Sequence, residues 1–226
     1  MILILGGTSD THKVVKTIDK EYIISVATHY GYVTFSKLYR DRVVKIRFDK
    51  DSLKKFIVKH NITKIIDTTH PYAKTITTIA KSVSKSLNIT YIDKKRSIMN
   101  RKDVNYEKAV FFDNTKDVTD FLKTNCSRIL FSIGSKNIEL FKEFKDIGYF
   151  RVLPFEESIK KCRNIGIDYN RIIAVQGPFS VNFNKTIIEE FCIDCIVTKN
   201  SGQSGGLIEK IEACQEKDIY IIILDT

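Results

Sequence analysis

The chain has 226 residues, of which 43% are hydrophobic and 28% are charged, as is usual for soluble globular proteins of one or two domains. Lysine and arginine outnumber the acidic residues by 37 to 27, giving a net charge of +10. Because the basic residues are spread out without a polybasic tail, the charge indicates a solvated lysine-rich surface or a polyanionic ligand. No apolar run approaches the ~20 residues of a membrane span, and the opening MILILGG lacks the basic region of a signal peptide, so we expect a cytoplasmic protein.

Five cysteines, an odd number, are spread along the chain, which is typical of reduced cytosolic thiols. Cys192 and Cys195 form a C-x-x-C pair, but no second pair and no nearby histidine accompanies it. Zinc binding is therefore not expected. The pair also falls across a predicted helix end and strand start, where a redox pair is not expected, so we interpret the cysteines as core-filling residues.

Short β-branched apolar runs alternate with longer amphipathic segments along the chain, from MILIL at the start to YIIIL near the end. This alternation predicts parallel sheets with right-handed crossovers and helices on both faces. Eleven predicted strands are many for one sheet, and the segment 94–105 is polar without clear periodicity. We therefore predict an α/β fold of two Rossmann-like domains, 1–95 and 106–226, joined by a linker at 96–105, with a cleft between the domains.

In such sheets ligands bind beyond the carboxyl ends of the strands, so polar strand ends mark candidate sites. After the first strand, Gly6 and Gly7 permit a tight turn, and Thr8, Ser9 and Asp10 can cap a helix or bond a ligand. The segment is not a G-x-G-x-x-G fingerprint, so a well-capped turn without a ligand is the alternative.

The fourth predicted strand ends in DTTHPYA, residues 67–73. An acid, hydroxyls and a histidine between a buried strand and a helix cost stability unless they pair or bind something. Pro71 suits the first helical turn. His70 is a candidate proton donor or a hydrogen-bond donor to a carboxylate. The alternative is that Asp67, Thr68 and His70 only satisfy one another.

Four polar strand ends follow in the second half. In SIGSKN, Lys136 is predicted in the first turn of a helix, where it opposes the dipole and is better explained by an anion. Arg151 lies near the end of the strand YFRVLP. Phe179 lies on the turn after the next strand, and its ring can lie against a flat ligand. The last segment, VTKNSGQSGG at 197–206, joins Lys199 and three glycines to a helix and favours an anion, although a plain turn is the alternative. Together they predict a concave site for a large anionic ligand.

The segments GGTSD, DTTHPYA, SIGSKN, RVLP, QGPFS with Asn184 after it, and VTKNSGQSGG with its EKIEAC helix occur in the order seen in precorrin-6A reductases. The chain resembles this family over nearly its whole length. It departs from the usual pattern at Asp10 (Glu), Thr68 (Ala) and Asn200 (Asp), and Arg96 is the best match to the arginine-rich end of the fifth strand.

The resemblance implies two Rossmann-like domains with the ligands between them. It also implies reduction of one double bond of a contracted tetrapyrrole, metal-free or cobalt-containing, by NADPH or NADH in cobalamin biosynthesis. His70 and bound water are rival proton donors, and any cobalt arrives inside the substrate. The coenzyme contacts predicted are Gly6, Gly7, Thr8, Ser9, Asp10, Lys199, Ser201, Gly202, Gly205 and Gly206. The substrate contacts predicted are Thr69, His70, Pro71, Tyr72, Lys136, Arg151, Gln176, Gly177, Pro178, Phe179 and Ser180.

Two other classes of protein stay open. One is a module that binds a tetrapyrrole or a nucleotide without chemistry. The other, suggested by charge alone, is a nucleic-acid-binding protein, but the sequence lacks a helix-turn-helix, RNA-recognition or finger signature. We expect a small-molecule substrate, no nucleic acid, no membrane, and a monomer or small homo-oligomer.

Overall fold

A computed structural model describes residues 1–95, 98–202 and 205–225. The chain divides into two compact units, Met1–Ser97 and Ile98–Thr226, each built on one parallel sheet. The predicted fold of two Rossmann-like units is confirmed. The expectation for Arg96 lies outside the described residues. Within the described ranges, no helix combines the length and the apolar character that crossing a membrane requires.

The sheet of the first unit has the strand order β3-β2-β1-β4-β5, with every neighbouring pair parallel. Its strands are β1 (Ile2–Leu5), β2 (Tyr22–Val26), β3 (Val43–Lys45), β4 (Lys64–Asp67) and β5 (Thr90–Asp93). Its helices are α1 (Ser9–Val15), α2 (His29–Tyr39), α3 (Lys50–Lys59) and α4 (Lys74–Ser86), with a 3₁₀ turn at Arg40–Arg42.

Strand β1 shows why its sequence is apolar at every position. Alternate side chains of a strand point to opposite faces. Ile2 and Ile4 accordingly join one hydrophobic cluster, while Leu3 and Leu5 join the cluster on the other face. Both faces are covered, so all four residues are buried.

The sequence reading missed helix α2. Its residues, HYGYVTFSKLY, are mostly aromatic, β-branched or glycine and have low helix propensity. Tertiary contacts form it instead. Thr28 caps it by accepting the Gly31 N–H at 3.0 Å, Gly31 lies against Val26, and Phe35 is buried.

The second unit has the strand order β6-β11-β10-β7-β8-β9, again all parallel. Its strands are β6 (Ala109–Phe112), β7 (Ile129–Ser132), β8 (Gly148–Val152), β9 (Ile172–Ala174), β10 (Cys195–Lys199) and β11 (Tyr220–Leu224). Its α-helices are α5 (Thr115–Asn125), α6 (Glu156–Asn164), α7 (Val181–Glu190) and α8 (Leu207–Glu216). Short 3₁₀ segments are Arg101–Asp103, Ile138–Phe144 and Tyr169–Arg171.

The segment after β7, predicted as an ordinary helix, is instead the 3₁₀ segment Ile138–Phe144, interrupted at Phe141. Apolar residues at three-residue spacing suit 3₁₀ geometry, because side chains three apart lie on one face. Phe141 and Phe144 pack on Phe131 at 5.0 and 5.9 Å between ring centroids. Lys136 therefore lies in the turn before this segment and not in the first turn of a helix, which corrects the prediction.

Residues 98–105, predicted as part of a linker, belong to the second unit and pack on it. Met99 and Val104 lie against its core. Fully buried Asn200 fixes this segment: its Oδ1 accepts the Met99 N–H at 2.9 Å, and its Nδ2 donates to the Met99 carbonyl and to Asp225 Oδ1, both at 2.8 Å.

Asn200→Asp is expected to lower the free energy of unfolding of the second unit by about 2–3 kcal/mol at neutral pH, because an aspartate cannot donate to Met99 and faces the Asp225 carboxylate. Hydrogen exchange of the β10 and β11 amides in the full chain measures the loss. The exposed Asn100 only accepts a hydrogen bond, from Lys102, so Asn100→Asp is a control expected to change stability by less than about 0.5 kcal/mol. Equal exchange in both variants would contradict the role of Asn200.

The five cysteines are free thiols, as expected, and Cys162, Cys195 and Cys214 are buried in the core. Cys126 is half-buried and Cys192 is exposed, so the interpretation as a core-filling residue is wrong for Cys192. Cys192 adopts a positive φ in the turn after α7, and Cys195 begins β10. Burial raises the pKa of Cys162 to about 11 and also raises the pKa values of Cys195 and Cys214. Within the described parts of the chain, no His, Cys, Asp and Glu side chains cluster as metal ligands would.

Candidate functional site

The first candidate site lies at the carboxyl edge of the first sheet, where β1 and β4 are neighbours. From β1 the chain crosses to β2 on one side, and from β4 to β5 on the other, so this is the topological switch point of the sheet. Ligands of open α/β sheets bind there. The predicted residues 6–10 and 69–72 follow these two strands.

Hydroxyl groups tie the two turns together. Thr8 Oγ1 donates to the Thr68 carbonyl at 2.7 Å, and the hydroxyls of Thr11 and Thr68 are 2.9 Å apart. Thr11 Oγ1 also accepts the Gly7 N–H at 3.2 Å. Thr68, at a position where the family usually has alanine, is thus part of the scaffold that holds both turns.

The two glycines of the first turn have different roles. A Cβ on Gly6 would lie 2.9 Å from Ile24 and 3.0 Å from Thr11, so only glycine lets α1 pack this close to the sheet. Gly7 has φ of 113° and is exposed, and a Cβ there would meet nothing within 4 Å. Open backbone at this position is the feature of the turn that can approach a ligand.

Asp67 is fully buried and belongs to the scaffold. Its Oδ1 accepts the Thr69 N–H at 3.0 Å and the Thr69 hydroxyl at 2.6 Å. Its Oδ2 accepts from Thr77 and Tyr91, both at 2.8 Å, and from Lys95 at 3.4 Å. Burial alone would raise the pKa of Asp67, but these hydrogen bonds outweigh it and lower the pKa. The carboxylate therefore stays ionised and is not suited to donate a proton.

His70 lies half-buried beyond this scaffold. Its Nδ1 accepts the Tyr72 N–H at 3.3 Å, and its ring lies 5.3 Å from the Tyr72 ring. Because Nδ1 is an acceptor here, the neutral imidazole carries its proton on Nε2. The turn thus fixes both the ring orientation and the tautomer.

The second candidate site lies at the switch point of the second sheet, between β7 and β10. From β7 the chain crosses to β8 on one side, and from β10 to β11 on the other. Lys136 follows β7 and Lys199 ends β10. Burial, followed by the charge of Lys136, lowers the pKa of Lys199, so the two ammonium groups lie within electrostatic range of each other.

Arg151, on the neighbouring strand β8, adds a buried cation. It is only 5% exposed, and burial lowers its pKa to about 10. Its Nε and Nη2 donate to Ser132 Oγ at 3.3 and 2.9 Å, and its Nη1 donates to Asn184 Oδ1 at 2.9 Å. All of these partners are neutral. Among the described residues, no carboxylate lies within 4.0 Å of Lys136, Arg151 or Lys199.

The turn after β9 closes over this edge. The Phe179 ring lies 5.0 Å from the Arg151 guanidinium and stacks on Phe183 at 4.4 Å. Ser180 caps α7 by accepting the Phe183 N–H. The Gly177–Pro178 peptide bond is cis. Pro178 packs against Gly206, where a Cβ would lie only 3.3 Å from the proline ring, so this turn contacts the glycine loop before α8.

Lys210 was missed by the sequence reading, although it lies in the EKIEAC helix used for the family resemblance. It is buried, and its Nζ donates to the carbonyls of Gly205 and Gly206 at 3.1 and 3.0 Å. Those carbonyls are thereby held by a cation beneath the loop. The sequence signal that could have identified Lys210 is its position one turn into a helix that follows a glycine-rich loop.

The structure brings the predicted residues together in two groups, one in each unit. In the first unit, residues 6–10 and 69–72 converge on the β1/β4 edge through Thr8 and Thr68. In the second unit, at the edge formed by β10, β7 and β8, Lys136 acts electrostatically on Lys199 and the Phe179 ring lies over Arg151, while Pro178 lies beside Gly206 in the loop after β10. Of that loop, Ser201 and the glycines are described, and residues 203 and 204 lie outside the described ranges. Gly177 and Gln176 are exposed at the rim.

The fold is that of an α/β protein of two Rossmann-like units, each with a candidate ligand site at the switch point of its sheet. Residues 1–226 match the family model described as "Precorrin-6x reductase CbiJ/CobK", and the chain belongs to this family of reductases. The resemblance drawn from the sequence is confirmed.

Similar proteins span nearly the whole chain. A cobalt-precorrin-6A reductase of Methanocaldococcus jannaschii is 29% identical over 99% of this chain and 89% of its own length. One of Methanococcus maripaludis is 32% identical over 93% of this chain and 84% of its own length. A solved structure described as "CobK precorrin-6A reductase" shares the fold with a TM-score of 0.76 at 17% identity, over 99% of this chain and 87% of that one.

Proposed function

We propose that this protein reduces one ring double bond of precorrin-6A, in its metal-free or cobalt-containing form, with hydride from NADPH or NADH. One observation carries the proposal beyond family membership. Lys136, Arg151 and Lys199 lie on or after three neighbouring strands at one sheet edge, and among the described residues no carboxylate lies within 4.0 Å of any of them. Positive charge gathered at one edge favours an anionic ligand, and the acetate and propionate groups of a tetrapyrrole would supply the opposite charge.

The residues present fit an anionic coenzyme as well. The open backbone at Gly7 and the positive φ values at Gly202 and Gly206 are positions where backbone can approach phosphates closely. The residues proposed to hold the coenzyme are 6–10, Lys199, Ser201, Gly202, Gly205 and Gly206. The ammonium groups of Lys199 and Lys210 would add positive charge there. When bound, the coenzyme supplies the hydride, while the protein positions the reacting groups and provides the electrostatic environment.

Reduction of the ring also needs a proton, and we propose His70 as its donor, with bound water as the rival. His70→Ala is expected to lower kcat by about 100-fold or more, the usual size of a general-acid contribution, while the Kd of the coenzyme changes less than about threefold. Stopped-flow turnover and coenzyme titration measure the two quantities. His29→Ala, at an exposed position in the same unit, is the control. Unchanged turnover in His70→Ala would reject the donor role.

The function is tested by following NADPH and NADH oxidation separately, with metal-free and with cobalt-loaded precorrin-6A. We expect substrate-dependent oxidation with at least one coenzyme and one ring. Binding of ring and coenzyme without oxidation in any of the four combinations would indicate a non-catalytic binding module instead. We further propose that the protein acts in the cytoplasm as a monomer or small homo-oligomer, without nucleic acid.

A further inference from the structure

The β7 strand ends at Ser132, the first residue of the SIGSKN segment. Ser132 was not among the predicted ligand contacts. It lies at the switch point of the second sheet, paired across to Thr198, the residue before Lys199. Its other neighbour is β8, which carries Arg151. Ser132 is half-exposed, whereas Arg151 is 5% exposed. The serine hydroxyl thus stands between a buried charge and the surface of the site.

The hydrogen bonds of this hydroxyl have one direction. A guanidinium has donors only, so Ser132 Oγ must accept both the Nε–H and the Nη2–H of Arg151, at 3.3 and 2.9 Å. The proton of the hydroxyl is consequently directed away from Arg151. Within the described parts of the chain, no acceptor lies within hydrogen-bond distance of it.

Arg151 is itself held away from a ligand. Its Nε/Nη2 edge, the fork that would grip a carboxylate bidentately, is directed at Ser132. Asn184 takes Nη1, and the Phe179 ring lies 5.0 Å from the guanidinium carbon. The charge therefore acts on the site through a neighbour, and the neighbour that connects it to the surface is Ser132.

We infer that Ser132 is an anion-binding residue, whose hydroxyl is fixed as a donor by Arg151 and donates to a carboxylate or phosphate oxygen of the ligand beside Lys199. This inference rests on the proposed function for the identity of the ligand. The carboxylate belongs to the tetrapyrrole, and the phosphate to the coenzyme. Hydrogen bonds to charged groups are stronger than neutral ones, so a sizeable loss of affinity follows its removal.

The test compares Ser132→Ala, Ser132→Thr and Ser135→Ala in the full chain. Uroporphyrin III, a stable tetrapyrrole with carboxylates on every ring, is one probe, and NADPH and NADH are the others. Ser132→Ala is expected to raise the Kd of one probe class about ten- to hundredfold. Ser132→Thr, which keeps the hydroxyl, is expected to stay within about threefold of the wild type, as is Ser135→Ala in the same turn. A raised Kd for uroporphyrin assigns the anion to the ring, and a raised Kd for the coenzymes assigns it to phosphate.

In turnover, Ser132→Ala is expected to raise KM for the corresponding ligand more than it lowers kcat, because the hydrogen bond is made in the ground state and the transition state alike. Unchanged Kd values for all three probes in Ser132→Ala would overturn the inference. An equal loss in Ser132→Thr would do so too, since packing and not the hydroxyl would then be responsible. A wild-type protein that binds the probes but oxidises no coenzyme would count against the proposed function alone, because the binding comparison still reports on Ser132.

Discussion

Asp67→Ala is expected to lower the free energy of unfolding of the first unit by about 3–5 kcal/mol, the usual cost of removing one partner from a buried charged network. The substitution leaves the Thr77 and Tyr91 hydroxyls without their carboxylate acceptor and removes one of the two carboxylates that contact the Lys95 ammonium, which is 13% exposed. Hydrogen exchange of the β1 and β4 amides in the full chain measures the loss in this unit separately from the other.

Asp93→Ala is the matched control for this variant. Asp93 is the partner of Asp67 in the register of β4 and β5 and also contacts Lys95, at 3.0 Å, but its side chain is 40% exposed. Exposed ion pairs contribute about 1 kcal/mol or less. Similar losses in the two variants would contradict the assignment of Asp67 as the buried centre of this scaffold.

The same carboxylate gives the first unit an acid-sensitive component. The folded pKa of Asp67 is lowered, so its stabilisation is fully present above the unfolded pKa of about 3.9 and is lost as the pH falls through the folded value. The difference in stability between wild type and Asp67→Ala is therefore expected to shrink below about pH 4.

Lys199→Met is expected to lower kcat/KM by at least about thirtyfold, because it removes a partly buried cation from the proposed anion site. The same change is expected to leave the second unit equally stable or more stable. Burial and Lys136 lower the pKa of Lys199, which means that the folded protein disfavours the charged form. Thermal unfolding and steady-state kinetics measure the two effects, which should have opposite signs.

Lys142→Met is the control, since it removes the same charge from an exposed position of the second unit. It is expected to change kcat/KM less than about threefold. Ligand affinity in the wild type should also fall as the pH rises through the lowered pKa of Lys199, because the anion prefers the protonated form. A normal kcat/KM in Lys199→Met would contradict the assignment of this lysine to the site.

The fold was predictable because the central parallel strands are buried on both faces and read as apolar runs, as β1 and β10 do. Helix α2 was not predictable, since its residues favour other local structures. It is helical because of the tertiary contacts of Thr28, Gly31 and Phe35. Local pattern likewise favoured a regular helix after β7, where packing on Phe131 produces a 3₁₀ segment.

The candidate sites were predictable at the level of strand ends and not at the level of contacts. A polar residue after an apolar strand is visible in the sequence, which is how Lys136, Lys199 and His70 were found. The sequence does not show which of these residues belong to the scaffold and which contact a ligand, because that depends on partners distant in the chain. Asp67 is saturated by donors up to 28 residues away, whereas Ser132 needs Arg151, 19 residues on, to become a fixed donor.

Transfer of deuterium from NADPH or NADH labelled at C4 of the nicotinamide tests the central claim most directly. With precorrin-6A or its cobalt form and this protein in a single turnover, mass spectrometry of the ring should show a product that has gained one deuterium from one face of the coenzyme. A reduced ring without deuterium from either face, or an unreduced ring with both ligands bound, would contradict hydride transfer between them.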